Sequence, residues 1–171
     1  MRLLGVFPGV LHYSKFFLRL EPIGLELVAQ AARQAGHQVK LIDLQVEDHR
    51  AYFRTLESWW PDVIAFSCNY LPHVPEIIDL AKATKTRFPE MFICVGGHSA
   101  IIEHGAGAID SVLKGEGEAG MPLLLAAIEG GRDPEWSGAA RSRPSSRRRD
   151  AISPSVWRSA SGKPPAASAP W

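Results

Sequence analysis

The stretch Asp62-Val63-Ile64-Ala65-Phe66-Ser67-Cys68-Asn69-Tyr70 decides the fold that this sequence predicts. Its apolar run follows Pro61 and has neither a helical nor an alternating period, which is typical of a short strand buried on both faces. Such a strand lies inside a parallel sheet and needs helices on both sides. Its carboxyl end opens into a crevice, where open α/β sheets bind ligands, and the residues from Ser67 to Tyr70 lie there.

Strand and helix patterns alternate on both sides of this stretch. Four further strands are predicted at Arg2–Phe7, Val39–Ile42, Phe92–Val95 and Ala108–Leu113. Helices are predicted from Pro22 to Ala35, from Asp48 to Trp60, from Pro72 to a break at Pro89, and from Ala119 to Glu129. The third helix is expected to expose Lys82, Lys85 and Arg87. The fold class is therefore α/β: a flavodoxin-like (Rossmann-like), doubly wound, five-stranded parallel sheet with helices on both faces.

Charge and composition divide the chain at residue 131. The 171 residues are 46% hydrophobic, which suits one core of ordinary size rather than two. Residues 1–131 carry eleven Lys/Arg and fifteen Asp/Glu, so a nucleic-acid footprint over this predicted domain is excluded. Residues 132–171 carry eight Lys/Arg and three Asp/Glu and are rich in Ser, Pro, Ala and Arg. This composition predicts a disordered basic tail. Two hypotheses for the tail stay open: a nucleic-acid arm, or the out-of-frame or degraded end of a longer protein.

Cysteine usage and hydropathy indicate the compartment. Cys68 and Cys94 each fall in or at the end of a predicted buried strand, so free, packed thiols are expected, as in a reducing cytosol. No apolar run approaches the ~20 residues that a membrane span needs. Pro8-Gly9 follows the first apolar residues too soon for a signal-peptide core. We therefore expect a cytoplasmic protein without a membrane span.

The ends of the predicted strands exclude several ligands of this fold class. A phospho-receiver needs acidic residues after the first strand and an Asp after the third, where this chain has Phe7-Pro8 and Ser67-Cys68. The segment Pro8–Leu11 lacks the hydroxyl groups of a flavin phosphate loop. Neither a dinucleotide glycine fingerprint nor a P-loop follows any strand.

Small and polar residues at three strand ends are the candidate site. Gly96-Gly97 lets a ligand approach the backbone closely, although a tight strand–helix turn also explains it. Gly115-Glu116-Gly117 places backbone N–H groups near a helix start, and Ser67 and Asn69 supply a hydroxyl and an amide. His12 and His98 are the histidines expected at the crevice, but no spacing matches a zinc site, so no metal ligand is predicted.

Several segments, taken in order, resemble the N-terminal cobalamin-binding domain of B12-dependent radical SAM enzymes. The segments are Glu21–Leu27, Ala35–Val39, Leu41–Asp43, Pro61–Ser67, Val95–His98 and Lys114–Glu118. Leu41–Glu47 and Ser67–Tyr70 resemble most closely the hopanoid C-3 methylases within that family. The resemblance covers about residues 2–131, and the chain looks truncated before the radical SAM domain.

The resemblance implies a site and a cofactor. Cobalamin would lie against the carboxyl edge of the sheet, with its nucleotide tail passing Ser67 and Gly96-Gly97 and its cleft lined by Gly115-Glu116-Gly117. The corrin ring would lie over loops that include the 10–20 segment. The cofactor-binding residues expected on this basis are Leu11, His12, Ser67, Asn69, Tyr70, Gly96, Gly97, His98, Gly115, Glu116 and Gly117. The implied activity is methyl transfer from methylcobalamin to an unactivated carbon of a lipid such as a hopanoid.

Two departures from the family limit this expectation. The Asp-x-His-x-x-Gly element that supplies an axial histidine in other B12 domains does not follow the first strand, so cobalt is expected to have no protein ligand. The Cys-x-x-x-Cys-x-x-Cys motif is missing from the 171 residues, so no iron–sulfur cluster or SAM site is expected in this chain. Catalysis would then need a radical SAM domain in a parent or partner chain. The alternative hypothesis is an α/β interaction or remnant module without a cofactor.

Overall fold

The computed structural model describes residues 1–9, 21–97 and 107–131. The strands are β1 (Arg2–Phe7), β2 (Gln38–Asp43), β3 (Val63–Cys68), β4 (Phe92–Gly97) and β5 (Ser111–Leu113). The helices are α1 (Ile23–Gln34), α2 (His49–Trp59), α3 (His73–Arg87) and α4 (Gly117–Glu129). The predicted tail, residues 132–171, lies outside the described residues.

The five strands form one sheet in the order β2-β1-β3-β4-β5, and all four pairings are parallel. Every residue of β3 is buried, as the unpatterned apolar run predicts for a central strand. The strand order reverses next to β1, so the connections leave toward both faces of the sheet. The predicted flavodoxin-like, doubly wound fold is confirmed.

Each face of the sheet carries two helices. Helices α2 and α3 cover one face, where Tyr52, Leu56 and Ile77 pack against alternate residues of β1, β3 and β4. Helices α1 and α4 cover the other face, where Ala32 and Leu124 pack against the residues in between. Among the described helices, none has both the length and the apolar character that a membrane span requires.

Helix ends follow local chemistry. The Asp48 side chain caps the start of α2 by accepting a hydrogen bond from the Ala51 N–H at 2.8 Å. Helix α2 ends one residue earlier than predicted, because Trp60 adopts a left-handed conformation with φ 53°. Helix α4 begins two residues earlier than predicted, at Gly117.

Two sequence predictions are wrong around β5. The strand was expected from Ala108, but its pairing starts at Ser111, opposite Cys94. Asp110 instead uses its carboxylate to accept the Ile93 N–H at 2.8 Å and to pair with the Lys85 ammonium at 2.5 Å. Lys85, expected on the solvent face of α3, is therefore mostly enclosed, and it also donates to the Met91 carbonyl.

Candidate functional site in a cleft between two helices

A cleft opens at the carboxyl side of β3, β4 and β5, between α1 and α4. Its volume is about 120 Å³, well below the roughly 300–1,000 Å³ of pockets that enclose a whole drug-sized ligand. We call it the α1–α4 cleft. Its lining residues are Gly24, Leu25, Val28, Ala65, Phe66, Ser67, Asn69, Gly96, Gly97, Leu113, Gly115, Gly117 and Met121. A space of this size can hold only a part of a larger ligand.

Small side chains on neighbouring strands keep this cleft open. Ser67 of β3 lies opposite Gly96 of β4, and Gly96 in turn lies opposite Leu113 of β5. A Cβ atom added at Gly96 would have only the Leu113 Cβ within 4 Å, at 3.9 Å, so the space above Gly96 belongs to the cleft. Ala65, two residues before Ser67, continues the same floor. A larger side chain at Gly96 would therefore occupy the cleft rather than meet the core.

The second glycine of the pair has a different role. Gly97 has φ +103°, and a Cβ there would lie 2.4 Å from the Cys68 carbonyl oxygen. The backbone conformation and the close approach of the β3 chain both require glycine at this position. Thus Gly96 provides open space, whereas Gly97 allows the turn that ends β4.

The segment Gly115-Glu116-Gly117 forms the turn into α4. Gly117 is the first residue of the helix, and a Cβ there would meet the Val28 Cγ2 of α1 at 2.7 Å, so the two helices come close beside the cleft. Glu116 precedes the helix with an exposed side chain, which makes no capping hydrogen bond and is not part of the cleft lining. Backbone N–H groups of the first helical turn lie at this end of the cleft.

The other predicted residues divide between the cleft and its rim. Ser67 is buried on the cleft floor and Asn69 is half-buried in its lining. Tyr70 is 47% exposed and lies outside the lining, with its ring against His73. Leu11, His12 and His98 lie outside the described residues.

Neither cysteine is prepared for nucleophilic chemistry. Both thiols are free and buried, as the sequence predicts. Burial raises the pKa of Cys68 to about 11 and that of Cys94 to about 12, where the nearby Asp110 adds to the effect. Both side chains are therefore protonated thiols at neutral pH. Within residues 1–9, 21–97 and 107–131, no group of three His, Cys, Asp or Glu side chains could hold a metal ion.

A buried carboxylate at the same edge of the sheet was not found from the sequence. Glu76 in the first turn of α3 accepts the Gly9 N–H at 2.9 Å with one oxygen, and its other oxygen lies 2.6 Å from the His49 Nε2. These contacts join the end of β1 to the starts of α2 and α3. The only clue in the sequence was an acidic residue in the first turn of a predicted helix, which usually remains exposed.

His73, the first residue of α3, was also missed. Its side chain is buried between two rings, with centroids 5.5 Å from Phe7 and 5.4 Å from Tyr70, both edge-on. Its Nδ1 has no hydrogen-bond partner, an arrangement that costs about 1–3 kcal/mol. Desolvation lowers the pKa of this imidazole, against an opposing effect of Glu76, so the ring is neutral at pH 7.

Comparison with known proteins identifies the family. Residues 13–125 match the model of the B12 binding domain. The chain is 55% identical over 134 residues to hopanoid C-3 methylase from Methylococcus capsulatus (Bath), covering 75% of this chain. It spans about a quarter, 26%, of the length of that relative.

Solved structures agree at the level of the fold. A cobalamin-binding protein from Desulfitobacterium hafniense DCB-2 has a TM-score of 0.56 at 15% identity, over 73% of this chain and 57% of that one. The methanol:cobalamin methyltransferase complex MtaBC from Methanosarcina barkeri has a TM-score of 0.60 at 13% identity, over 77% of this chain and 47% of that one. The family match covers most of residues 1–131, the part of the chain that forms the sheet and its helices. The chain belongs to the B12-binding domain family.

Proposed function

We propose that this chain is the cobalamin-holding part of a radical SAM methyltransferase that methylates an unactivated carbon of a lipid such as a hopanoid. The observation that carries the proposal is the α1–α4 cleft, whose floor of Ala65, Ser67 and Gly96 is free of large side chains. The 55% identity to a hopanoid C-3 methylase supports the methyltransferase assignment.

The cleft fits one part of cobalamin, the flat nucleotide base at the end of its tail. Leu25, Val28, Leu113 and Met121 offer apolar contacts to the faces of a planar ring. The Ser67 hydroxyl and the Asn69 amide offer hydrogen bonds to polar atoms of the tail. The residues present therefore fit the group, and we assign Ser67, Asn69, Gly96, Gly97, Gly115 and Gly117 to the tail.

The corrin ring would lie over the carboxyl edge of the sheet. We assign Tyr70 to this part of the site, because its ring is half exposed beside the ends of β1 and β3. Leu11, His12 and His98 remain proposed corrin contacts, and Glu116 is proposed to face the rim from the start of α4. When bound as methylcobalamin, the cofactor supplies the methyl group. The residues of this chain bind it, orient it and exclude water from its tail.

The cleft can be tested by filling it. The full chain is soaked with hydroxocobalamin, desalted, and its absorbance compared for the wild type, Gly96→Leu and Ala126→Leu. Ala126 lies on the exposed side of α4 and outside the cleft lining, so it controls for added bulk. We expect the wild type and Ala126→Leu to retain colour, and the dissociation constant of Gly96→Leu to rise roughly tenfold or more, at least 1.4 kcal/mol.

Two results would contradict this placement. A colourless wild-type sample after desalting would favour the alternative, an α/β interaction or remnant module without a cofactor. Equal retention by the wild type and Gly96→Leu would mean that the tail binds elsewhere. Gly97 is not suitable for this test, because any side chain there strains the backbone whether or not a ligand binds.

The methyltransferase assignment needs a second experiment. The reading frame downstream of this chain, or a neighbouring one, should encode the Cys-x-x-x-Cys-x-x-Cys motif of a radical SAM domain. Coexpression of both parts in a hopanoid-producing host should yield methylated hopanoids detectable by mass spectrometry. The same host expressing Gly96→Leu should yield fewer. Unmethylated hopanoids alongside a cobalamin-loaded wild type would refute the lipid substrate and leave cobalamin binding intact.

We also propose that the protein works in the cytoplasm. The free, buried thiols of Cys68 and Cys94 support a reducing compartment. Fractionation of the natural host, with an antibody against this chain, would test this proposal.

A further inference from the structure

His73 is held firmly at the carboxyl edge of the sheet. Its backbone N–H donates to the Tyr70 carbonyl at 3.0 Å, and its ring lies between Phe7, the last residue of β1, and Tyr70, in the turn after β3. Only 3% of the residue is exposed. The imidazole is therefore fixed between the ends of β1 and β3.

The environment of its Nδ1 is unlike that of the other buried polar groups. The Tyr52 hydroxyl is hydrogen-bonded to the Thr84 hydroxyl at 2.7 Å. The Glu76 carboxylate is hydrogen-bonded to the Gly9 N–H and to the His49 ring. Among the described residues, the Nδ1 of His73 is the one buried side-chain nitrogen or oxygen without a hydrogen-bond partner. A phenylalanine would fill the same space between two aromatic rings without leaving a polar atom unsatisfied. A group that works against folding in this way is expected where a ligand supplies the missing partner.

We propose that His73 positions cobalamin, with its Nδ1 hydrogen-bonded to a carboxamide side chain of the corrin ring. The inference rests on the proposed location of the cofactor over this edge of the sheet. A neutral imidazole nitrogen either accepts a hydrogen bond or donates one, depending on the tautomer, and a carboxamide offers both an N–H donor and a carbonyl acceptor. Tyr70, whose ring covers His73 and is itself half exposed, forms the outer wall of the contact.

The test compares folding and binding in the same variants. His73→Phe keeps the ring contacts with Phe7 and Tyr70 but removes the nitrogen. We expect its apoprotein to unfold at an equal or higher denaturant concentration than the wild type, while its dissociation constant for hydroxocobalamin rises roughly tenfold, or about 1.4 kcal/mol. His73→Asn places an amide near the position of Nδ1 and should recover most of that affinity despite a less stable fold.

Tyr52→Phe is the matched control. It removes a buried polar group that already has a partner in the protein, Thr84. Its apoprotein should unfold at a lower denaturant concentration, while the cobalamin affinity of the folded protein stays unchanged. Tyr52→Phe would then lose stability but keep its affinity for cobalamin, whereas His73→Phe would keep its stability but lose affinity. If His73 served only in packing, His73→Phe would not show this combination.

The outcomes separate this inference from the proposed function. If the wild type does not retain cobalamin, both fail. If the wild type and His73→Phe bind cobalamin equally, the role of His73 is refuted and the cleft assignment stands. If the His73→Phe apoprotein is less stable than the wild type, the Nδ1 has a partner within the protein and the inference is overturned.

Discussion

The two faces of the sheet use the same strands but differ in how much they bury. On the α2–α3 face, Tyr52 of α2 and Ile64 and Phe66 of β3 are fully buried between the sheet and the helices. The buried cluster on the α1–α4 face is smaller: Leu124 and Leu125 of α4 pack there with the small residues Ala32 and Ala65. Ala65 also lines the cleft. The α2–α3 face therefore supplies most of the buried packing of this domain, whereas the α1–α4 face leaves the space of the cleft.

The largest expected effect compares two adjacent residues of β3. Ile64→Ala removes a fully buried side chain from the α2–α3 face, and its neighbour Ala65 faces the other side. We expect Ile64→Ala to lower the free energy of unfolding by about 2–5 kcal/mol and Ala65→Gly by about 0.5–1 kcal/mol. Urea denaturation of the apoproteins measures both. Equal losses would contradict the proposed division between the faces.

The buried ion pair that anchors β5 is the next prediction. Asp110→Ala leaves the Lys85 ammonium in a mostly enclosed place without its carboxylate. The free energy of unfolding should fall by up to about 3 kcal/mol, because Lys85 keeps its hydrogen bond to the Met91 carbonyl and part of its contact with water.

A second ion pair provides the control for Asp110. Glu57 and Arg87 are each about half exposed, so Glu57→Ala should cost less than about 1 kcal/mol. Denaturation in low and high salt distinguishes the two pairs, because only the exposed pair should weaken strongly with salt. A loss at Glu57 as large as that at Asp110 would be evidence against this ranking.

Gly96 and Gly97 separate cleft space from backbone strain. Gly97→Ala should lower the free energy of unfolding by about 1–3 kcal/mol, because alanine is strained at φ +103° and meets the Cys68 carbonyl. Gly96→Ala should change it by less than about 0.5 kcal/mol and reduce cobalamin affinity instead. Denaturation and cobalamin titration on both variants test this. If Gly96→Ala lowered the free energy of unfolding as much as Gly97→Ala, the distinction between the two glycines would be wrong.

The smallest effect concerns pH. Unfolded His73 titrates near pKa 6.5, whereas burial lowers its pKa in the folded protein. As the pH falls below about 6.5, the unfolded state binds a proton that the folded state does not, so stability decreases. The decrease between about pH 7 and about pH 5 should be smaller in His73→Phe. Glu76 and His49, which lie next to this region, are present in both proteins, and the difference also contains the effect of Glu76 on the His73 pKa. Parallel stability curves would refute the expectation.

Local pattern was sufficient for most elements of the fold. The unpatterned run of β3, the proline and glycine stops and the Asp48 cap each depend on a few adjacent residues, and these elements were predicted within a few residues of their bounds. Two predictions were wrong, the exposure of Lys85 and the start of the fifth strand at Ala108, because neither depends on adjacent residues alone. Their environment depends on Asp110 meeting Ile93 and Lys85, which lie 17 and 25 residues away along the chain.

The sequence alone determined the parallel sheet, the small residues at three strand ends and the likeness to cobalamin-binding domains, because each is written in short, contiguous segments. Only the tertiary structure distinguished the role of Gly96 from that of Gly97. It also showed that Glu76 is buried at the end of β1 and that the Nδ1 of His73, between two rings, has no hydrogen-bond partner. The register between strands and the approach of the helices decide these features. Both arise from packing between residues far apart in the chain, which no local period records.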